Sequence, residues 1–187
     1  GTKGKRYITP NARVLLHQWD TERALNDYPE LRGEVDLRSK QELLRLVARA
    51  MQSGSRGLAG NIIGGEQLEA LVEGYLREQR HFAQARAAAR ALVRQLRERN
   101  FILCFVGADS YAFVHRTFLE YFCAADIVQR FNVEQSLDLD ALKALFAQHA
   151  SDENWREVLR LICAQIDEQF VGQLVAHLAD QIDLEHW

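Results

Sequence analysis

Proline stands at positions 10 and 29 and nowhere else, so nothing from Glu30 to Trp187 obliges a helix to stop. Inside a helix, proline removes a backbone donor and collides with the preceding turn, at a cost of about 3 kcal/mol. A chain without it, and rich in the strong helix formers Ala, Leu, Arg, Glu and Gln, is expected to be mainly helical.

Apolar spacing divides that expectation into elements. A first helix is predicted over residues 10–25, with Val14, Leu15 and Trp19 on one face. Pro10 takes its first position, where the missing N–H would have no partner in any case. Residues 26–36 read as a loop. A second helix over 40–52 carries the stripe Leu43, Leu44, Val47, Ala48 and Met51. The Gly- and Ser-rich residues 53–65 read as a surface loop. A third helix follows over 65–78, and a fourth, built around ARAAARALVRQL, over 81–99.

Next come two strand-like runs, NFILCFV (100–106) and YAFVH (111–115), separated by the turn residues GADS. Three helices followed by a short β-hairpin form the layout of a winged helix, placed at residues 37–116. Residues 1–36 then serve as a linker helix ahead of it. From residue 117 the chain is helical again, over 117–131, 138–149, 154–166 and 168–182, with Asn154 placed to cap the third of these. Residues 117–187 read as the start of a stacked helical array.

The stretch YAFVHRTFLEYFCAAD (111–126) changes character in its middle. Up to His115 the apolar residues alternate; from Phe118 they recur at helical spacing. Thr117 and Glu120 fit a capping box, T-x-x-E, in which the hydroxyl accepts from the Glu120 N–H and the carboxylate from the Thr117 N–H. The helix would then begin at Phe118. His115 and Arg116 would stand just ahead of its N-terminus, where unpaired amides and the helix dipole favour an anion. A neutral imidazole there can donate one N–H to a phosphate oxygen. The residues alone leave two readings open: a phosphate contact, or a half-buried structural histidine with Arg116 exposed.

Several chemistries have no foothold. The sequence holds no GxxxxGK[ST] loop, and GLAGNIIGG (57–65) matches neither that motif nor GxGxxG. It also lacks a serine elbow, HExxH and a calcium loop, so no catalytic residue and no metal site is expected. Cys104, Cys123 and Cys163 lie far apart in apolar runs, without a CxxC pair. They read as three buried, reduced thiols of a cytoplasmic protein. No apolar run approaches the roughly 20 residues of a membrane span, and GTKGKRYITP has no signal-peptide core. A net charge of −3 gives no global reason to expect a polyanionic partner.

Locally the balance differs. Between residues 77 and 99 seven Arg face two Glu, and Arg86, Arg90, Arg94 and Arg97 recur along one helix face. That row reads as a solvated face, a domain-docking face or a nucleic-acid face. The hairpin segment GADSYA contains no basic residue, which counts against DNA.

YAFVHRTFLEYFCAADI (111–127) resembles the end of the winged-helix domain in NACHT-type NTPases of the STAND class. The matching residues are Tyr111, Phe113, His115, Thr117, Phe118, Glu120, Tyr121, Ala124 and Ala125, while Cys123 departs from the usual small or apolar residue. RVLLHQWDTER (13–23) is similar to the helix that follows the NACHT core in bacterial members. DENWREVLRLICAQI (152–166) is similar to the start of the helical region beyond the winged helix.

The resemblance implies that His115 contacts the β-phosphate of ADP and helps hold an inactive, closed form, with Arg116 beside it in the nucleotide-sensing seam. It also implies an NTPase domain upstream in the same chain, ADP or ATP with Mg bound there, and self-oligomerisation on activation, as in immune and regulatory switches. On this reading the present residues carry no cofactor and no chemistry of their own. The alternative is a winged-helix DNA-binding transcriptional regulator with a helical dimerisation region.

Overall fold

Asp36 opens the first helix of the computed structural model, which describes residues 35–54, 61–98 and 102–185. Its carboxylate accepts from the Ser39 hydroxyl at 2.7 Å and the Ser39 N–H at 2.8 Å. Those bonds, the hydroxyl first, hold its carboxyl below the usual value. The helix, α1, spans Leu37–Gln52 and buries the expected stripe of Leu43, Leu44, Val47, Ala48 and Met51. The helix expected over 10–25, and most of the loop expected over 26–36, lie outside the described residues.

Helix α2 (Gly65–Glu78) carries Leu68, Val72, Tyr75 and Leu76 inward, and α3 (Ala85–Glu98) carries Ala88, Ala89, Leu92 and Val93. The two pack against each other, and fully buried alanines let α3 approach closely. Tyr75 joins α2 to α1 by donating to the Glu42 carboxylate at 2.8 Å. Burial pushes its phenol up to about 12, so it remains a donor across ordinary pH.

The turn between α2 and α3 passes through one left-handed residue and is closed by the Phe82 N–H, which donates to the Leu76 carbonyl at 3.0 Å; the Phe82 ring is buried. The left-handed position is filled by His81, with φ 56°, where glycine is usual. A side chain in that conformation costs about 1–2 kcal/mol. His81→Gly is therefore expected to raise the melting temperature, with about 1 kcal/mol recovered, measured by chemical unfolding of the two proteins side by side.

The sheet has three strands, β1 (Ile63–Gly64), β2 (Leu103–Gly107) and β3 (Ser110–Phe113), in the antiparallel order β1-β3-β2. The hairpin was expected; β1 was not, and it corrects the reading of 53–65 as loop alone. Two residues are too few to show an alternating pattern. Ile63 becomes a strand only because Tyr111 lies opposite it.

The chain divides into two compact units between Phe122 and Cys123, within helix α4 (Arg116–Asn132). The second unit contains the rest of α4, α5 (Leu139–His149), α6 (Arg156–Cys163) and α7 (Glu168–Glu185). Its core includes Leu142, Phe146, Val158, Ile162 and Leu174, and Phe131 meets Phe170 edge-on at 5.0 Å.

Here the expected Asn154 cap gives way to packing. The residue at the cap position is Trp155, which makes no side-chain capping bond. Its ring is buried and stacks on His149 at 3.9 Å, with 13° between planes. Burial lowers the His149 pKa, outweighing Asp152, whose carboxylate is 3.9 Å away and acts to raise it.

A folded-state imidazole with a lowered pKa takes up a proton less readily than in the unfolded chain. Stability is thus complete above the unfolded value of about 6.5 and falls as pH drops through the lowered one. His149→Phe keeps a ring against Trp155 but cannot titrate. The expected outcome is a smaller loss of melting temperature between about pH 7 and pH 5 than in wild type.

Candidate functional site at the sheet-to-helix seam

Only Val114 and His115 connect β3 to α4. Val114 N–H makes a last ladder-like bond to the Ile102 carbonyl at 2.9 Å. One residue later the His115 carbonyl accepts from the Phe118 N–H at 3.0 Å, already in the first turn of α4. The helix therefore starts at Arg116, two residues earlier than the capping box requires.

This overturns the cap expected of Thr117 and Glu120. Thr117 is exposed within the first turn, and the Glu120 carboxylate accepts instead from Arg116 Nε at 2.8 Å. The physical reason is a competition for Glu120. A guanidinium four residues back on the same face gives a charged pair, whereas the capping box offers a neutral amide.

Phe118, Leu119 and Phe122 are buried, and Phe113 stacks on Phe122 at 6.1 Å. The start of α4 is thereby anchored on the sheet. His115 is exposed, its ring 5.9 Å from that of Phe118. The seam thus brings an accessible imidazole to a helix start whose first turn contains no acidic residue. Arg116, half-buried, has its Nε committed to Glu120.

The arginine row lies on α3. Arg86, Arg90 and Arg94 are exposed, and Arg90 Nε reaches Glu69 of α2 at 2.7 Å. Arg97 belongs to the same helix, but its side chain lies outside the described residues.

The wing between β2 and β3 has a role that the sequence did not disclose. Gly107, Ala108 and Asp109 all have positive φ (99°, 47° and 50°), the conformation of a tight hairpin turn with an adjoining bulge. The Asp109 carbonyl accepts from the Gly65 N–H at 2.7 Å, at the start of α2. A Cβ on Gly65 would lie 2.6 Å from both Asp109 carboxylate oxygens. The wing is therefore seated on the N-terminus of α2 and presents an acid there. Asp109 was legible as a turn residue in GADS; its seat on Gly65 was not.

None of the three cysteines is in a disulfide, but only Cys123 is buried; Cys104 and Cys163 are half-buried, correcting the expectation of three buried thiols. Cys104 stands opposite Ala112 in the sheet, and its thiol lies 3.5 Å from the Ala112 carbonyl. Burial still pushes both half-buried thiols up. Among the described residues no group of three or more His, Cys, Asp or Glu gathers as a metal site would require. No helix among them is long and apolar enough to cross a membrane.

Three helices, a third strand between the first two and a wing closing the sheet define a winged helix-turn-helix protein. The chain belongs to the family of winged helix-turn-helix domains C-terminal to NACHT, whose family model matches residues 9–127. The match takes in two of the stretches that carried the resemblance, 13–23 and 111–127; the third, 152–166, lies beyond it. No solved structure matches the chain.

The Gly65–Asp109 seat is testable. Gly65→Ala is expected to destabilise the protein by about 1 kcal/mol, because the Asp109 carboxylate must turn aside to admit the methyl. Pairing it with Asp109→Gly, which removes the carboxylate and suits the positive φ, should recover most of that loss in a double-mutant cycle.

Proposed function

We propose that this chain is the regulatory winged helix of a NACHT signalling NTPase, and that His115 holds its ADP-bound, closed state. The observation that carries the proposal is the exposed imidazole at the start of α4, in a chain whose family lies C-terminal to NACHT. Supporting it, the first turn of α4 contains no carboxylate to repel an anion, and the buried aromatic anchor fixes where the ring stands. A structural histidine would be buried with its ring satisfied by a carbonyl, and exposure argues against that role.

The chemistry required of His115 is one donated N–H to a phosphate oxygen, with the α4 dipole favouring the negative charge. Arg116 contributes by fixing Glu120 rather than by meeting the nucleotide. The phosphate loop and Mg ligands belong on this reading to the NACHT domain that precedes winged helices of this family. ADP and its contacts there stabilise the closed form; losing them releases the winged helix and permits self-oligomerisation. Nothing in the wing favours the DNA-binding alternative, because its turn offers an acid and no base.

In the NACHT-containing protein, His115→Ala is expected to weaken ADP by about 1.5–3 kcal/mol, the range for a hydrogen bond to a charged group. Basal oligomerisation should rise by no more than that differential energy allows. The melting temperature should stay unchanged, because the ring is exposed. Unchanged ADP affinity together with a lowered melting temperature would reject the proposal.

A further inference from the structure

The two units carry opposite charge. Residues 5–122 hold eighteen Lys and Arg against fourteen Asp and Glu, net +4, whereas residues 123–187 hold four against twelve, net −8. Both charges have a focus on the surface.

In the first unit the focus is the exposed face of α3. Of the described arginines there, Arg90 is paired with Glu69, while Arg86 and Arg94 extend the row one turn to either side. In the second unit the focus is one end. The contact of Phe131 with Phe170 joins the end of α4 to the start of α7. Close to those two rings along the chain are the exposed Glu134, Asp138, Asp167 and Glu168, with Arg130 the one base beside them. Asp138 and Asp167 accept from the N–H groups of Ala141 (2.8 Å) and Gln169 (3.0 Å), and Glu134 lies 3.5 Å from the Ser136 hydroxyl. Those bonds leave the negative charges in place.

We infer that the α3 arginine face docks on the acidic end of the second unit of another copy of this chain, giving a salt-dependent self-association. Charge complementarity selects this occupant over duplex nucleic acid. A winged helix that grips DNA through α3 sets its wing on the backbone, and this wing is acidic and seated on α2. The inference is independent of the nucleotide reading, because none of its residues belongs to the seam.

Exposed pairs are individually weak and are screened by salt, so the association should be weak and cooperative across the row. Sedimentation of the 187-residue chain over a concentration series tests it at about 0.01 M and about 1 M salt, where the Debye length falls from about 30 Å to about 3 Å. Average mass should climb with concentration at low salt and stay monomeric at high salt. Arg86→Glu with Arg94→Glu should weaken association at least about tenfold, or 1.4 kcal/mol, with an unchanged helical circular dichroism signal. Mixing that variant with Glu134→Lys plus Glu168→Lys should restore it, since one copy's reversed row then meets the other's reversed end. A mass independent of concentration at low salt would overturn the inference. So would association that survives the arginine reversals, or a charge-swapped mixture that stays monomeric. Salt-dependent binding of a short DNA duplex by a chain that does not self-associate would assign the row to nucleic acid instead.

Discussion

The winged unit is organised around Tyr111. Its side chain is fully buried on the central strand, opposite Ile63 of β1 and Phe105 of β2. Its ring meets Phe105 at 5.5 Å, and its hydroxyl donates to the Val93 carbonyl of α3 at 3.4 Å. One residue thus ties three strands to the helix beneath them. A slip of one position would carry Tyr111 and Phe113 onto the opposite face of the sheet. That register is what places Asp109 on Gly65 at one end of β3 and His115 at the other.

The seam follows from the same constraint. With Phe113 buried against Phe122 and only two residues before α4, the chain has no slack between strand and helix. Val114 spends its N–H on Ile102, and His115 is left at the corner with its side chain outside. A ring held between a paired strand and an anchored helix loses little freedom on meeting a ligand, which is the physical advantage of a preorganised contact. The Arg116–Glu120 pair engages a carboxylate about one turn into α4.

Charge is distributed by unit rather than evenly. Several charged side chains form pairs within one helix, among them Arg38 with Glu42, Arg77 with Glu73, and Arg160 with Glu157. Such pairs contribute little, being screened by water, and cancel each other's fields. Arg86 and Arg94 on α3, and the acids close to Phe131 and Phe170 along the chain, add up rather than cancel. The net charge of the whole chain, −3, conceals that separation.

Periodicity alone was enough for the long helices. The range 65–78 read from spacing is that of α2, and every residue of the stripe on α1 is buried, because burial of one face repeats every turn and leaves its mark in sequence. The hairpin was legible for a similar reason, as alternation around GADS. Where two elements must meet across long sequence separation, no such mark exists. Ile63 is a strand only beside Tyr111, Gly65 is required only beneath Asp109, and the start of α6 was moved by the stack of Trp155 on His149. The seam divides along the same line. Sequence located His115 and the helix after it; tertiary packing decided that the helix begins at Arg116, that Glu120 answers to a guanidinium, and that the imidazole stands in the open. Those outcomes depend on which neighbour offers the stronger partner or excludes water, and neighbours are chosen by the fold.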